Sequence, residues 1–300
     1  MATQFGYIAG IYNADSFSKV QLSDMTVVSD LTLPGGTNGW RFLAFDSTQT
    51  YMYVSNGFTN ISKIDVSSFT VVSTLSNLIN STCVVMDPTS EYLYTAGAAW
   101  NNYIVKIDVS TFSVVSSINV ASRDLVMDSK GEYLYAVNGS YLYKIDLSTF
   151  SVVSTLPLTS NLLYIDPTET YLYVGQVRVI LSTFTEDTTY SSSYAVYAVD
   201  PQGVYGYEVL PSSGEVVQFD VSTGLLVATL GNFSYPTQVS VAPSGEYAVV
   251  VDNTGDYAYA VPIPSFTSKG VGLADNIPDS PMQFGPGAVA PTTSQMFVLT

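Results

Sequence analysis

The chain has no histidine, one cysteine and nine Lys or Arg residues in 300. Without histidine there is no Ser–His–Asp or Cys–His nucleophile activation, no imidazole acid–base chemistry and no His-ligated metal. A lone Cys83 excludes an intrachain disulfide and Cys-rich zinc or iron–sulfur sites. It sits in an apolar stretch, the usual setting of a buried, inert thiol. Nine basic residues against 25 acidic ones leave a net charge of −16. Such a surface repels phosphate backbones and anionic membranes, so nucleic-acid binding and membrane insertion are not expected. Charged residues are 11% of the chain, against roughly 25% in an average domain, so Ser and Thr must supply much of the wet surface. No apolar run approaches the roughly 18 residues of a membrane span. Helix-forming stretches are scarce, and no Gly-rich phosphate loop precedes one. The chemistry left open is a carboxylate pair or a hard, oxygen-ligated cation.

What is present is repetition. Lys106-Ile-Asp-Val-Ser-Thr-Phe-Ser-Val-Val-Ser-Ser-Ile118 returns as Lys144-Ile-Asp-Leu-Ser-Thr-Phe-Ser-Val-Val-Ser-Thr-Leu156, and Lys63-Ile-Asp-Val-Ser-Ser-Phe-Thr-Val-Val-Ser-Thr-Leu75 precedes both. Each copy reads strand, turn, strand. An apolar run ending before a turn at Asp46, Asp87, Asp128, Asp166, Asp200, Ala242 and Ala290 sets the period. By subtraction the markers stand 34 to 48 residues apart, the length of a four-stranded propeller blade. Val, Ile, Tyr, Thr and Phe dominate, as strands require.

The second full unit shows the four strands: Thr82 to Met86, Glu91 to Thr95, Tyr103 to Asp108 and Phe112 to Ile118. Between the last two, Asp108 can accept backbone N–H bonds within a tight turn. The pattern decays after Asp166, where Val177-Arg-Val-Ile-Leu-Ser-Thr-Phe184 replaces the Lys-Ile-Asp signature. It returns at Gln218-Phe-Asp-Val-Ser-Thr-Gly224. In Tyr257-Ala-Tyr-Ala-Val-Pro262 the proline predicts an edge position. After Ala290 only Met296-Phe-Val-Leu299 follows, which reads as a second strand, while Ser18–Leu22 and Thr26–Leu31 read as third and fourth strands. The expectation is an all-β, single seven-bladed β-propeller over residues 1–300, closed by pairing of its N- and C-terminal strands. Blades start near 41, 82, 123, 161, 195, 237 and 285, and residues 5–33 complete the last.

Tyr51-Met-Tyr-Val-Ser-Asn56, Glu91-Tyr-Leu-Tyr-Thr-Ala-Gly97 and Glu132-Tyr-Leu-Tyr-Ala-Val-Asn138, each followed by an Ile-Asp-x-Ser motif, resemble the YVTN-type β-propeller repeat of surface-layer-like proteins. The resemblance covers about residues 43–158 well and the remainder weakly. The Pro-Asp-Gly turn usual in that family is replaced by Asp-Pro-Thr-Ser, Asp-Ser-Lys-Gly, Asp-Pro-Gln-Gly and Ala-Pro-Ser-Gly. The resemblance implies a propeller and a surface setting, and no single activity.

Candidate residues follow from the ring. Propeller ligands meet the loops at the channel mouth, where the segments leading into each inner strand lie. Trp40 and Arg41, Arg123, and Tyr194 share that register and can grip a carboxylate or a sugar; the competing reading pairs Arg123 with Asp124. Asp252-Asn-Thr-Gly-Asp256 spaces oxygen ligands as a Ca²⁺ loop does but lacks the rest of an EF-hand, and an ordinary hairpin turn explains it too. Asp65, Asp108, Asp146 and Asp220 recur at one point of the blade and read as turn caps. Lys63, Lys106 and Lys144 read as a solvated face. The Tyr-x-Tyr pairs, Tyr92/Tyr94 among them, read as packing between blades.

No cofactor and no catalytic residue is expected. The N-terminus Met1-Ala-Thr-Gln-Phe-Gly lacks the pattern of a cleaved signal. The expected role is a structural or interaction module on a virion or cell surface, binding other proteins, with the altered segments Val177–Tyr194 and Val261–Phe284 as contact regions. The alternatives are a glycan-binding propeller, a lactonase- or hydrolase-type propeller enzyme, and a cytoplasmic location. Sequons stand at Asn60, Asn80, Asn138 and Asn232.

Overall fold

A computed structural model describes residues 5–9, 16–21, 24, 26–33, 43–56, 59–78, 83–96, 103–188, 190, 192–242, 244–252, 257–263, 266, 271–274 and 296–299. They form seven four-stranded sheets and no helix, arranged as a seven-bladed β-propeller. The first six blades run in chain order over 43–75, 83–118, 124–157, 163–186, 198–230 and 236–274. Within each, neighbouring strands are antiparallel, so each strand folds back on its predecessor through a short turn.

The seventh blade joins the two ends. Its strands lie in the order Met296–Leu299, Phe5–Ala9, Ser16–Gln21 and Thr26–Thr32. The C-terminal strand holds the innermost place, beside Pro236–Val241 of the sixth blade, and pairs in parallel with Phe5–Ala9. The expectation of a second-strand position for it is corrected. Phe5 and Tyr7 already fill the positions that Tyr51 and Tyr53 hold in the first blade, so only the inner place is open. The marker Ala290 lies outside the described residues. Pro262 is not on an edge either: its strand, Tyr257–Pro262, is third of four. The outer strand Val271–Ala274 pairs only with residues 257–260, so Pro262 lies past the last outer pair and forfeits no bond there.

Two local devices repeat. The turn between third and fourth strands is held by the predicted aspartates. Asp108 Oδ1 accepts Thr111 N at 2.9 Å and Ser110 Oγ at 2.6 Å, and Asp65, Asp146 and Asp220 do the same. These bonds to the charged form hold all four carboxyls below their ordinary pKa. The turn between first and second strands uses the marker aspartates: Asp166 Oδ1 accepts Tyr171 N at 2.7 Å and Asp200 Oδ1 accepts Tyr205 N at 2.9 Å.

The second device locks blade to blade. At the end of the turn between third and fourth strands a phenylalanine takes a left-handed backbone: Phe69, Phe112 and Phe150, each four residues after a capping aspartate, and Phe184, four after Ile180, have φ of 51°, 47°, 46° and 54°. Such a conformation costs a side-chain-bearing residue about 1–3 kcal/mol. The offset is burial of the ring, worth about 2–3 kcal/mol, against a buried tyrosine of the preceding blade. The pairs are Tyr7–Phe69, Tyr53–Phe112, Tyr94–Phe150, Tyr135–Phe184 and Tyr207–Phe266, with ring centroids 5.5–6.2 Å apart. The fifth blade has Gly224 at this turn (φ 71°), and there Tyr190 supplies the ring, 6.0 Å from Tyr173.

Candidate functional site

Both kinds of turn lie at one end of the blades, where first-to-second and third-to-fourth connections of adjacent blades meet. Third-strand cations stand over second-strand rings here. Lys63 Nζ lies 4.1 Å from the ring centroid of Tyr51, Lys106 Nζ 3.7 Å from Tyr92, Lys144 Nζ 3.9 Å from Tyr133 and Lys19 Nζ 4.4 Å from Phe5. A register shift falls just after each lysine, on the side of the outer strand, and re-aims it as a bulge does. These lysines are therefore half-buried against aromatic faces, which corrects the expectation of a freely solvated row. In the fourth blade Arg178 takes the place, its guanidinium carbon 4.2 Å from Tyr171 and 4.3 Å from Tyr190. It also donates from Nη2 to Asp187 at 2.6 Å and from Nη1 to Ser222 O at 3.3 Å. The fifth blade has Gln218, donating to the Tyr207 hydroxyl at 2.9 Å. The sixth has Val249 and Ala260, apolar and buried.

Between the first and second blades this end opens into a cleft of about 630 Å³, walled by Asp46, Tyr51, Tyr53, Lys63, Ser90, Glu91, Tyr92 and Asp108. Its blades are tied together at the rim by Ser47 N donating to Ser90 Oγ at 2.7 Å. Tyr53 is fully buried, and its hydroxyl has no hydrogen-bond partner among the described residues. Burial, with Asp46 close by, pushes that phenol's pKa up.

At the opposite end lie the segments leading into the inner strands. Trp40 and Arg41 are outside the described residues. Arg123 leads into the third blade and is exposed. Tyr194 leads into the fifth and is half-buried, its ring stacked on Phe219 with centroids 5.5 Å apart. The fourth blade stands between them, so the two do not form one cluster. Gly206 makes room for this stack, since a Cβ there would meet the Phe219 ring at 2.5 Å. Asp124 is buried and accepts Leu125 N at 2.9 Å and, across the blade boundary, Leu163 N at 2.8 Å. Desolvation holds its carboxyl well above the ordinary carboxylate range.

Asp252 is also buried. It accepts Ser234 N and Tyr235 N, both at 2.7 Å, tying the segment that leads into its own blade. Asp256 lies outside the described residues. Among the described residues no three His, Cys, Asp or Glu side chains are grouped to hold a metal ion.

Glu208 is a site the sequence reading passed over. It occupies the second-strand position held by Val54, Thr95, Ala136, Val174 and Val250 elsewhere. Its carboxylate accepts Ala195 N at 3.0 Å, and burial pushes its pKa up to about 7. A lone acid in a column otherwise without charge was the available signal.

A family model described as a domain of unknown function, DUF5074, matches residues 12–257. The chain belongs to this family. No curated protein matches the sequence. Among solved structures, hydrazine synthase of Kuenenia stuttgartiensis superposes with a TM-score of 0.65 at 16% identity, over 92% of this chain and 96% of that one. At that identity the DUF5074 chain shares with it the fold alone.

Proposed function

We propose that this DUF5074 protein is a non-catalytic interaction module that docks other proteins on its rim, as a repeated surface component of a virion or cell envelope. The observation that carries the reading is the outermost strands. Val72, Val115, Val153 and Val227 are 55%, 52%, 53% and 51% exposed, on strands Thr70–Leu75, Ser113–Ile118, Ser151–Pro157 and Leu226–Leu230, none of which holds a charged residue. Edge strands are normally guarded by lysine, proline or inward charge. Here a chain of net charge −16 leaves these four edges without charge and with an exposed valine on each, a surface fitted to strand addition by a partner, whereas the outer strands of the fourth and seventh blades carry Glu186 and Asp30. A rigid ring loses little entropy when such edges dock. The likeness of its second strands to the YVTN-type surface repeat supports the same setting, and the absence of histidine supports a binding role.

The altered segment Val177–Tyr194 lends itself less to contact. Arg178 and Asp187 are buried as a pair, and Tyr190 fills the gap at Gly224.

Cross-linking of the native assembly tests the reading. Contacts should map to the outer strands, and the triple variant Val72→Lys, Val115→Lys, Val153→Lys should lose them while melting within a few degrees of the parent. Contacts confined to the turn-bearing ends, or a freely soluble monomer with measurable turnover, would defeat it.

A further inference from the structure

We infer that the rim is built to refuse a second copy of this chain: a bulge in each longer outer strand keeps identical molecules from pairing edge to edge. In five blades one residue of the outer strand is skipped in the pairing with the third strand. It is Val72, Val115, Val153, Val227 or Val28; in the second blade, for example, Val114 faces Ile107 and Ser116 faces Lys106. All five valines are exposed. The extra residue puts the outward-facing N–H and C=O groups on its two sides out of phase, so a regular strand can match one side only. What remains unbroken is short. The longest regular stretches are three residues at 73–75, 116–118 and 228–230, and four at 154–157 and 29–32. Strands commonly run about 5–6 residues, and segments that stack on their own copies about 6–7.

The distribution of the bulges makes the stronger case. The five bulged strands are five to seven residues long. The outer strands of the fourth and sixth blades, Thr185–Glu186 and Val271–Ala274, have two and four residues, and among the described residues neither is bulged. Aiming the third-strand cation does not account for this pattern. The fifth blade keeps its bulge with Gln218 in the lysine's place, and the fourth sets Arg178 over Tyr171 without one. A bulge thus appears where an outer strand is long enough to template another, which is where an edge needs protection. On the docking reading, a strand added by a partner is short, and neighbouring copies in an assembly are held by that partner and not by one another.

The test is sedimentation velocity of the purified chain. The parent should stay monomeric in about 1 M sodium chloride, where the Debye length is about 3 Å and repulsion between acidic copies is screened. Deleting Val72, Val115 and Val153 keeps the remaining pairs of those strands in register and restores regular edges. The deletion should make the chain associate with itself at least about tenfold more tightly. Plain stickiness of the valines gives the opposite sign, since the deletion removes three of them. Oligomers of the parent in salt would assign its solubility to net charge and overturn the proposal, as would a folded triple deletion that stays monomeric. Should the triple deletion not fold, the single deletion of Val115 and the parent in salt decide the matter. The chain is measured alone, so a failure here leaves the rim cross-links to a partner standing, and a loss of those cross-links leaves this result standing.

Discussion

Phe112, from the second blade, holds its ring centroid 5.8 Å from that of Tyr53 in the first, and it does so from a left-handed backbone with φ of 47°. A local conformational cost is thus tied to a long-range contact. The same coupling at Phe69, Phe150 and Phe184 makes each third-to-fourth turn a fastener for the preceding blade.

Phe69→Ala should therefore destabilise the ring by about 3 kcal/mol, the lower end of large-to-small core substitutions. Phe69 is buried against Tyr7 and Phe17. Phe69→Gly should lose about 1 kcal/mol less than expected for its size, because glycine relieves the left-handed strain. Chemical denaturation of both variants checks the order; Gly below Ala in stability would contradict the account.

Asp108→Asn should lower the melting temperature at neutral pH, with the difference fading in acid. The native carboxyl is held below its unfolded pKa, first by Ser110 and then by Thr111. Its stabilisation is present above the unfolded value and is lost as pH falls through the folded one. Thermal melts of both proteins from pH 7 down to pH 2 measure this, and a gap that persists in strong acid would count against a charged cap.

Glu208→Gln should act with the opposite sign. Burial raises the native pKa to about 7, so the acid costs no stability below its unfolded pKa. The cost grows as pH rises and is complete above the folded value. The amide keeps an oxygen for Ala195 N. The variant should melt near the parent at pH 4 and several degrees above it at pH 8. Equal melting at both would show Glu208 to be solvated in the folded chain.

Deleting residues 1–31 removes Phe5–Ala9 and Ser16–Gln21 and nearly all of Thr26–Thr32, stripping the partner of Met296–Leu299. Exposed strand edges should then drive aggregation, read by light scattering. A monomeric, fully folded product would argue against closure through this pairing.

The period, the capped turns and the blade count were legible because they rest on short-range chemistry: an aspartate with its Ser or Thr two or three residues on, or an alternating Tyr-x-Tyr. The cations over the rings were half legible. Lys63, Lys106 and Lys144 each open an Ile-Asp motif after a Tyr-x-Tyr pair, but the bulge that turns each inward leaves no mark in composition. Tyr190 replacing a phenylalanine opposite Tyr173 was not legible, since the gap at Gly224 and its filler are 34 residues apart. Nor was the parallel inner strand, whose place is fixed by what Phe5–Ala9 already occupies. The channel-mouth candidates shared a register, which aligns residues along the chain without bringing Arg123 and Tyr194 to one spot.

The pairing of Phe5–Ala9 with Met296–Leu299 also has a bearing on assembly of the fold in time. Each of the other sheets unites strands that follow one another directly, whereas this one awaits a partner 291 positions away, from Phe5 to Met296. Ribosomal synthesis delivers that partner last. The opening strands must wait with an unfilled inner place while six blades form, so shielding by a chaperone matters most at the beginning of the chain, and closure of the circle becomes the final, slowest event of folding.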